Sequence, residues 1–352
     1  SALSNRSPRW WFPAWLFTDQ RSELGITTAG SDALGIHNNQ VTARYDFKLD
    51  QPAAQLSYAY ADRLFLSVAR VNEITLDAAG ELERLSKRST ASATLAFPDN
   101  YIQKQSNLLF NVSYDVTADE ELATGVTPVD ELEDNLLGVA WLYNSAMIYP
   151  LSISKNDGMN LRLVAEGSDA LDSDYTGQVY TLDWRQYIRT GKESVLALRF
   201  LQGWGTDQPR PFKLGGVESN NDAVNILSGV SYEAVFNERS YSLRGYKEGL
   251  PQLRGRRAQL LSGEWRFPLQ RIEKGIMAPP VGLMQWFGTV FAETGSAYQD
   301  SPDRYYSGAG LEINADINLF YGAVIRLSAG YAHGFDSDIG DDIGYLRIGS
   351  SF

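Results

Sequence analysis

Residues able to do acid–base, nucleophilic or metal chemistry are scarce in this chain. There are two histidines, His37 and His333, and no cysteine. Thiolate metal sites, disulfides and cysteine nucleophiles are therefore excluded. No His-Glu-x-x-His, nucleophile elbow or phosphate-binding glycine loop occurs. His333 is close in sequence to Asp336 and Asp338, but the spacing of nucleophile and base that a triad needs is missing. The run 336–342 offers clustered carboxylates of the kind Ca²⁺ takes, without the glutamate that closes an EF-hand loop, and reads as a solvated acidic loop. No catalytic residue, metal site or cofactor is assigned. The residue that stands out is Arg244, within the stretch 241–249, in a long polar, glycine-rich interval between two strand-like segments. A guanidinium is a planar fork of donors that suits carboxylates. We expect Arg244 to be carried on a loop that folds back into a barrel.

The elements that would position such a loop are strands. Apolar and polar residues alternate down the chain, the mark of strands with one apolar face. In 41–49, Val41, Ala43, Tyr45, Phe47 and Leu49 take one face, while Thr42, Arg44, Asp46 and Lys48 take the other. Leu108, Phe110, Val112 and Tyr114 alternate with Leu109, Asn111, Ser113 and Asp115. The second face is unusually charged. In a soluble sandwich it would be the solvated side; in a membrane barrel it would be the lumen. About sixteen strands are expected, an even number as closed bacterial barrels require. They fall near 14–19, 23–34, 40–49, 54–62, 64–75, 88–98, 106–117, 135–148, 158–168, 176–189, 194–205, 256–269, 284–298, 305–319, 323–334 and 343–352. Residues 1–13 read as a periplasmic lead-in with an aromatic foot, and 14–352 as the barrel. Short connections alternate with longer acidic ones such as 118–134, the pattern of periplasmic turns and external loops. Phe97-Pro98 and Phe267-Pro268 then fall at periplasmic strand ends.

Composition agrees with this class. Hydrophobic residues make up 43% of the 352-residue chain and aromatics 12%, enough for lipid-facing strands and interface girdles. The net charge of −12 argues against nucleic acid, whose phosphates need a basic footprint. The uncharged runs 135–154 and 275–292 reach the length of a spanning helix. The first holds Pro150 and the second Pro279-Pro280, so each reads as strand plus turn. No charged n-region with an apolar h-region opens the sequence, so a signal peptide is expected to have been removed already. The closing strand ends on Phe352, sharing a face with Leu346 and Ile348, as in the targeting signal read by the barrel-assembly machinery.

A series of short motifs runs in order through 200–352: Phe212 to Gly216 with its Gly215-Gly216 pair, then Leu243-Arg244-Gly245-Tyr246, 263–269, 290–295, 306–310 and Phe352. This ordered set resembles the C-terminal barrel of the BamA/TamA-like superfamily of outer-membrane assembly and translocation proteins, of bacterial surface antigen type. The first 200 residues match by strand pattern alone. The resemblance implies an all-β, 16-stranded antiparallel transmembrane barrel whose sixth external loop, about 206–255, enters the lumen. It implies that Arg244 meets the inner wall at Glu264 and Glu293, the latter where the family usually has Asp. Parity agrees: with Trp265 and Phe267 facing lipid, Glu264 and Arg266 face inward, and with Val290 and Ala292 facing lipid, Glu293 faces inward. Gly245 would permit a tight backbone at the loop tip.

Two departures stand out. The family's Gly-Gly pair lies close before the Arg-Gly-aromatic triplet, whereas here 217–243 intervenes, with an alternating 226–236 that reads as an extra hairpin. The family also carries periplasmic modules before the barrel, and strand pattern here begins almost at once: the modules were removed, or this is a barrel-only member.

The expected function is non-enzymatic insertion or translocation of polypeptide, through a lumen-plugging loop and a weak seam between first and last strands. Gly344 and Gly349 in the closing strand would loosen that seam. Alternatives are a porin-like channel, a lipid-transport barrel, an adhesion barrel, or the membrane anchor of a periplasmic domain outside this sequence. Expected partners are outer-membrane lipids and lipopolysaccharide, together with polypeptide clients or accessory envelope proteins. Both termini would be periplasmic.

Overall fold

Strand alternation along this chain produces a barrel that is polar inside and apolar outside. The computed structural model describes residues 10–123, 126–128, 131–149, 151–217, 235–276, 281–319 and 323–348. On the strand holding Leu108 to Asp115, Leu108, Phe110, Val112 and Tyr114 are exposed, while Leu109, Asn111, Ser113 and Asp115 are buried. The same inversion recurs round the molecule. Buried Thr27, Thr42, Asp183, Arg199 and Glu264 line the inside, and exposed Val41, Leu56, Val68, Leu261 and Trp265 cover the outside. So broad an apolar surface is tolerable only against lipid. Among the described residues no helix is long and apolar enough to cross a membrane.

Sixteen antiparallel strands form the wall. They are β1 (Trp10–Phe17), β2 (Ser22–Ser31), β3 (His37–Asp46), β4 (Gln51–Tyr60), β5 (Leu64–Leu76), β6 (Leu82–Asn100), β7 (Gln105–Leu122) and β8 (Leu136–Asn144). There follow β9 (Gly158–Gly167), β10 (Gln178–Arg189), β11 (Val195–Gly205), β12 (Arg257–Ile276), β13 (Val281–Tyr298), β14 (Tyr306–Leu319), β15 (Ala323–Gly334) and β16 (Asp342–Ile348). Each pairs with the next, and β16 returns to β1. Among the described residues that closing contact is short, with Leu16 opposite Arg347 and Phe17 opposite Leu346, whereas β1 and β2 pair along eight positions from Trp10 to Phe17.

Three expectations are corrected. The strand pattern begins at Trp10, so the last four residues of the expected lead-in belong to β1. The acidic segment 118–134 begins as strand, not loop: β7 continues to Leu122, because Arg84 and Lys87 on β6 pair with Asp119 and Glu120 across the ladder. Pro268 does not end β12, which runs on to Ile276. Proline cannot donate to a ladder, and the register accordingly slips between Pro268 and Gln270, and again between Arg271 and Lys274. Pairing with β11 stops at Arg266, so the rest of β12 is a free edge. Its proline, irregular register and charges are the features that keep such an edge from pairing with strangers.

Loop 6 leaves β11 at Gly205 and enters β12 at Arg257. Its two ends are stitched by a small sheet: Lys213 and Leu214 pair in parallel with Ser240 and Tyr241, and Phe212 and Lys213 pair antiparallel with Gly255 and Arg254. Phe212, Tyr241, Leu243 and Tyr246 form an apolar cluster with wall residues such as Ile74, Leu85 and Leu201. Most of the extra hairpin expected at 226–236 lies outside the described residues, as do Gly349 and Phe352.

Candidate functional site: the loop 6 anchor

Arg244 has 1% of its surface exposed and sits among three wall carboxylates. β12 carries Glu264, β13 carries Glu293 and β14 carries Glu312, on adjacent strands with inward parity. Arg244 Nη2 donates to Glu264 Oε1 at 2.7 Å, Nε to Glu293 Oε1 at 3.0 Å and Nη1 to Glu312 Oε1 at 2.9 Å. Its backbone N–H donates to Glu293 Oε2 at 2.9 Å, and its guanidinium lies 3.5 Å from the centroid of the Phe291 ring. Every face of the fork is used, which a lysine could not match.

The carboxylates are balanced in turn. Arg266 donates through Nε and Nη2 to Glu264 Oε2 at 2.9 and 2.7 Å. Ser262 donates to Glu293 Oε1 at 3.0 Å. Arg347 Nη2, on the closing strand, donates to Glu312 Oε1 at 2.9 Å, and the Tyr345 hydroxyl donates to the same oxygen. Arg244, Arg266 and Arg347 thus match Glu264, Glu293 and Glu312 charge for charge. A buried cluster of ions persists when each is paired and hydrogen-bonded, and loses heavily when one member goes.

The residues beside Arg244 shape the backbone. Gly245 has φ +93°, and a Cβ there would lie 2.6 Å from Gly334 N at the end of β15. Its carbonyl accepts from Asp341 N at 2.9 Å. Tyr246 donates to Ser307 O at 2.7 Å, and Leu243 is fully buried. Gly215 and Gly216, far from the triplet in sequence, touch it in space. Gly216 N donates to Tyr246 O at 2.8 Å, Gly215 N donates to Tyr241 O at 3.1 Å, and a Cβ on Gly215 would lie 2.3 Å from Lys247 O. The small loop sheet thus closes the distance that 217–243 opens along the chain.

Further contacts tie loop 6 to the rest of the wall. Lys213 and Arg210 pair with Glu73 of β5, Arg239 Nη1 donates to Glu166 of β9 at 2.7 Å, and Arg21 donates twice to Glu248 at 2.8 and 2.9 Å. Gly344 faces outward on β16 with nothing within 4 Å of the position of a Cβ. His333 also faces outward, with Nδ1 2.6 Å from Asp342 Oδ1.

No family model and no curated protein matches the sequence. Solved structures do. BamA from Haemophilus ducreyi lacking POTRA domains 1–3 aligns with a TM-score of 0.63 at 13% identity, covering 98% of this chain and 70% of that one. CdiB from Escherichia coli aligns with a TM-score of 0.63 at 12% identity, over 97% of this chain and 63% of that one. CdiB from Acinetobacter baumannii aligns at 0.60 and 10%, over 96% and 58%. The fold is that of a BamA-type barrel. The chain spans less than two thirds of either CdiB. Of the residues that hold the anchor in this BamA-type barrel, Glu312, Tyr345, Arg347 and Phe291 escaped the sequence reading. Glu312 carried a usable signal, since it alternates with the outward Leu311 and Ile313. Arg347 and Tyr345 carried the same parity on the last strand, without a motif to draw notice.

Proposed function

We propose that this chain is the outer-membrane barrel of a protein insertion or translocation factor related to the BamA/TamA-like superfamily, working without catalysis. The observation that carries the reading is the pairing of a firmly seated loop 6 with a wall whose described residues close on a short contact. Arg244 is held by three carboxylates, while β1 and β16 meet at two residue pairs among the described residues. A barrel built as a passive channel would keep its lumen clear and its wall evenly zipped. Among the described residues the least-paired junction is the seam, and the strand on one side of it, β16, is tied through Arg347 and Glu312 to the loop anchor. In this reading both termini are periplasmic, loop 6 starts on the external side, lipopolysaccharide and phospholipid meet the outer face, and polypeptide clients or accessory envelope proteins engage the seam.

The test uses the absence of cysteine. Phe17 and Leu346 are opposed across the seam, so Phe17→Cys with Leu346→Cys can form a disulfide without competing thiols. In proteoliposomes given an unfolded outer-membrane barrel as client, oxidation is expected to lower insertion at least tenfold, and reduction to restore it. Equal activity in the oxidised and reduced forms would sink the reading.

A further inference from the structure

We infer that the described residues 145–149 and 151–157 of the connection between β8 and β9 form a strap that closes the mouth of the lumen opposite to loop 6. This is a different segment from the loop 6 anchor, and it lies at the other end of the barrel. At 13 residues, it is far longer than the connections 32–36, 61–63 and 101–104 on the same side.

Its neck continues the β8–β9 hairpin. Met147 bridges to Asp157, Ser145 N donates to Met159 O at 2.8 Å, and Gly158 has φ +86°. A Cβ at Gly158 would lie 2.1 Å from Ser145 O, so the chain turns there through space that only glycine leaves. Beyond the neck the strap leaves its own strands. Lys155 Nζ lies 5.8 Å from the centroid of the Tyr187 ring on β10. Arg271 Nη2 on β12 donates to Leu151 O at 2.8 Å. Arg326 Nη2 on β15 donates to Ile153 O at 2.6 Å.

β9 and β15 are six strands apart in a wall of sixteen, so a segment fixed to both runs across the opening rather than along the rim. The far attachment is well braced. Arg326 Nε donates to Asp316 Oδ1 at 2.7 Å, Gln285 Nε2 donates to Asp316 Oδ2 at 2.9 Å, and the Arg326 guanidinium lies 4.6 Å from the centroid of the Phe287 ring.

Burial divides the strap into two faces. Ile153 is 1% exposed, and Ser154 and Asn156 are also buried, whereas Ile148 is 64% exposed. An excursion into solvent would leave both faces wet. Two arginines grip carbonyl oxygens of the strap, not its side chains, so the contact can be released without unfolding a strand. Loop 6 and the strap are thus two seals in series on one lumen, and neither alone decides whether it is open.

The test reads thiol accessibility in the refolded, otherwise cysteine-free barrel, with a bulky polar maleimide as probe. Asn314→Cys places a reporter on the inner wall, where Asn314 hydrogen-bonds to Thr289 and Ser328. Ile148→Cys places one on the outer face of the strap. With the strap intact, Ile148→Cys is expected to react at least tenfold faster than Asn314→Cys. Arg271→Ala with Arg326→Ala, or replacement of 146–156 by a short Gly-Ser turn, is expected to raise the Asn314→Cys rate at least tenfold and to leave the rest of the barrel folded, as heat-shifted gel mobility will show. Two results would overturn the inference. One is rapid labelling of Asn314→Cys with the strap intact. The other is labelling that stays equally slow once the strap is gone. Neither touches the seam experiment, whose disulfide lies on β1 and β16.

Discussion

Arg244 is worth more to the barrel than one residue because its removal takes a shared cation from three carboxylates at once. Arg244→Ala leaves three buried carboxylates, Glu264, Glu293 and Glu312, with two of the three arginines that balance them, Arg266 and Arg347. Removing one partner of a buried ion cluster costs about 3–5 kcal/mol. The barrel is expected to insert, because the wall ladder is untouched, and to unfold at lower temperature on semi-native gels. Arg244→Lys should recover little of the loss, since an ammonium cannot serve three strands at fixed angles. A barrel indifferent to Arg244→Ala would reduce the cluster to decoration. At this scale the sequence was legible where motif and parity coincided, at Arg244, Glu264 and Glu293. It was illegible at Glu312 and Arg347, because an inward charge on a strand names no partner until the strands are placed side by side.

Loop 6 shows the same limit one level up. Its ends were readable from the strands that flank it, but its path depends on pairing between segments that sequence leaves apart: Phe212–Leu214, Ser240–Tyr241 and Arg254–Gly255. Nothing in 217–243 announces that Gly215 will rest on Lys247. The dependence can be tested without changing any charge. Gly215 has φ +125°, and its Cβ position is 2.3 Å from Lys247 O, so Gly215→Ala must move one backbone or the other. Strain of that kind costs roughly 1–3 kcal/mol. Gly215→Ala is expected to lower the heat-unfolding temperature and to admit protease into loop 6. Gly344→Ala serves as the contrast, since its outward side is open within 4 Å, and it is expected to change stability by no more than about 0.5 kcal/mol. β12 departs from its expected length for a related reason. A proline in sequence reads as a strand end, whereas an edge that needs protection can use Pro268 inside the strand.

For the whole molecule, the alternation that fixes sixteen strands does not say which face meets water; the folded wall does. Val112 lies near the middle of β7 with its side chain outward, and Tyr101 lies on the turn between β6 and β7. Lipid and water make opposite demands on these two positions. An arginine at the midplane of a membrane barrel costs about 2–4 kcal/mol, falling to about 0–1 kcal/mol near the interface. Val112→Arg is therefore expected to destabilise the barrel in phospholipid vesicles by the larger amount, measured by urea unfolding, and Tyr101→Arg by the smaller. In a soluble barrel both would be surface substitutions of similar, small effect. The seam adds a second term. Among the described residues two pairs join β1 to β16, fewer than at either neighbouring junction, so opening the wall there breaks less of the described ladder. Unfolding that begins at the seam should therefore be slowed by the Phe17→Cys, Leu346→Cys disulfide, while the equilibrium cost of Val112→Arg persists in the locked barrel. If locking the seam instead left the unfolding rate unchanged, the junction of β1 with β16 would not be where the wall first gives way.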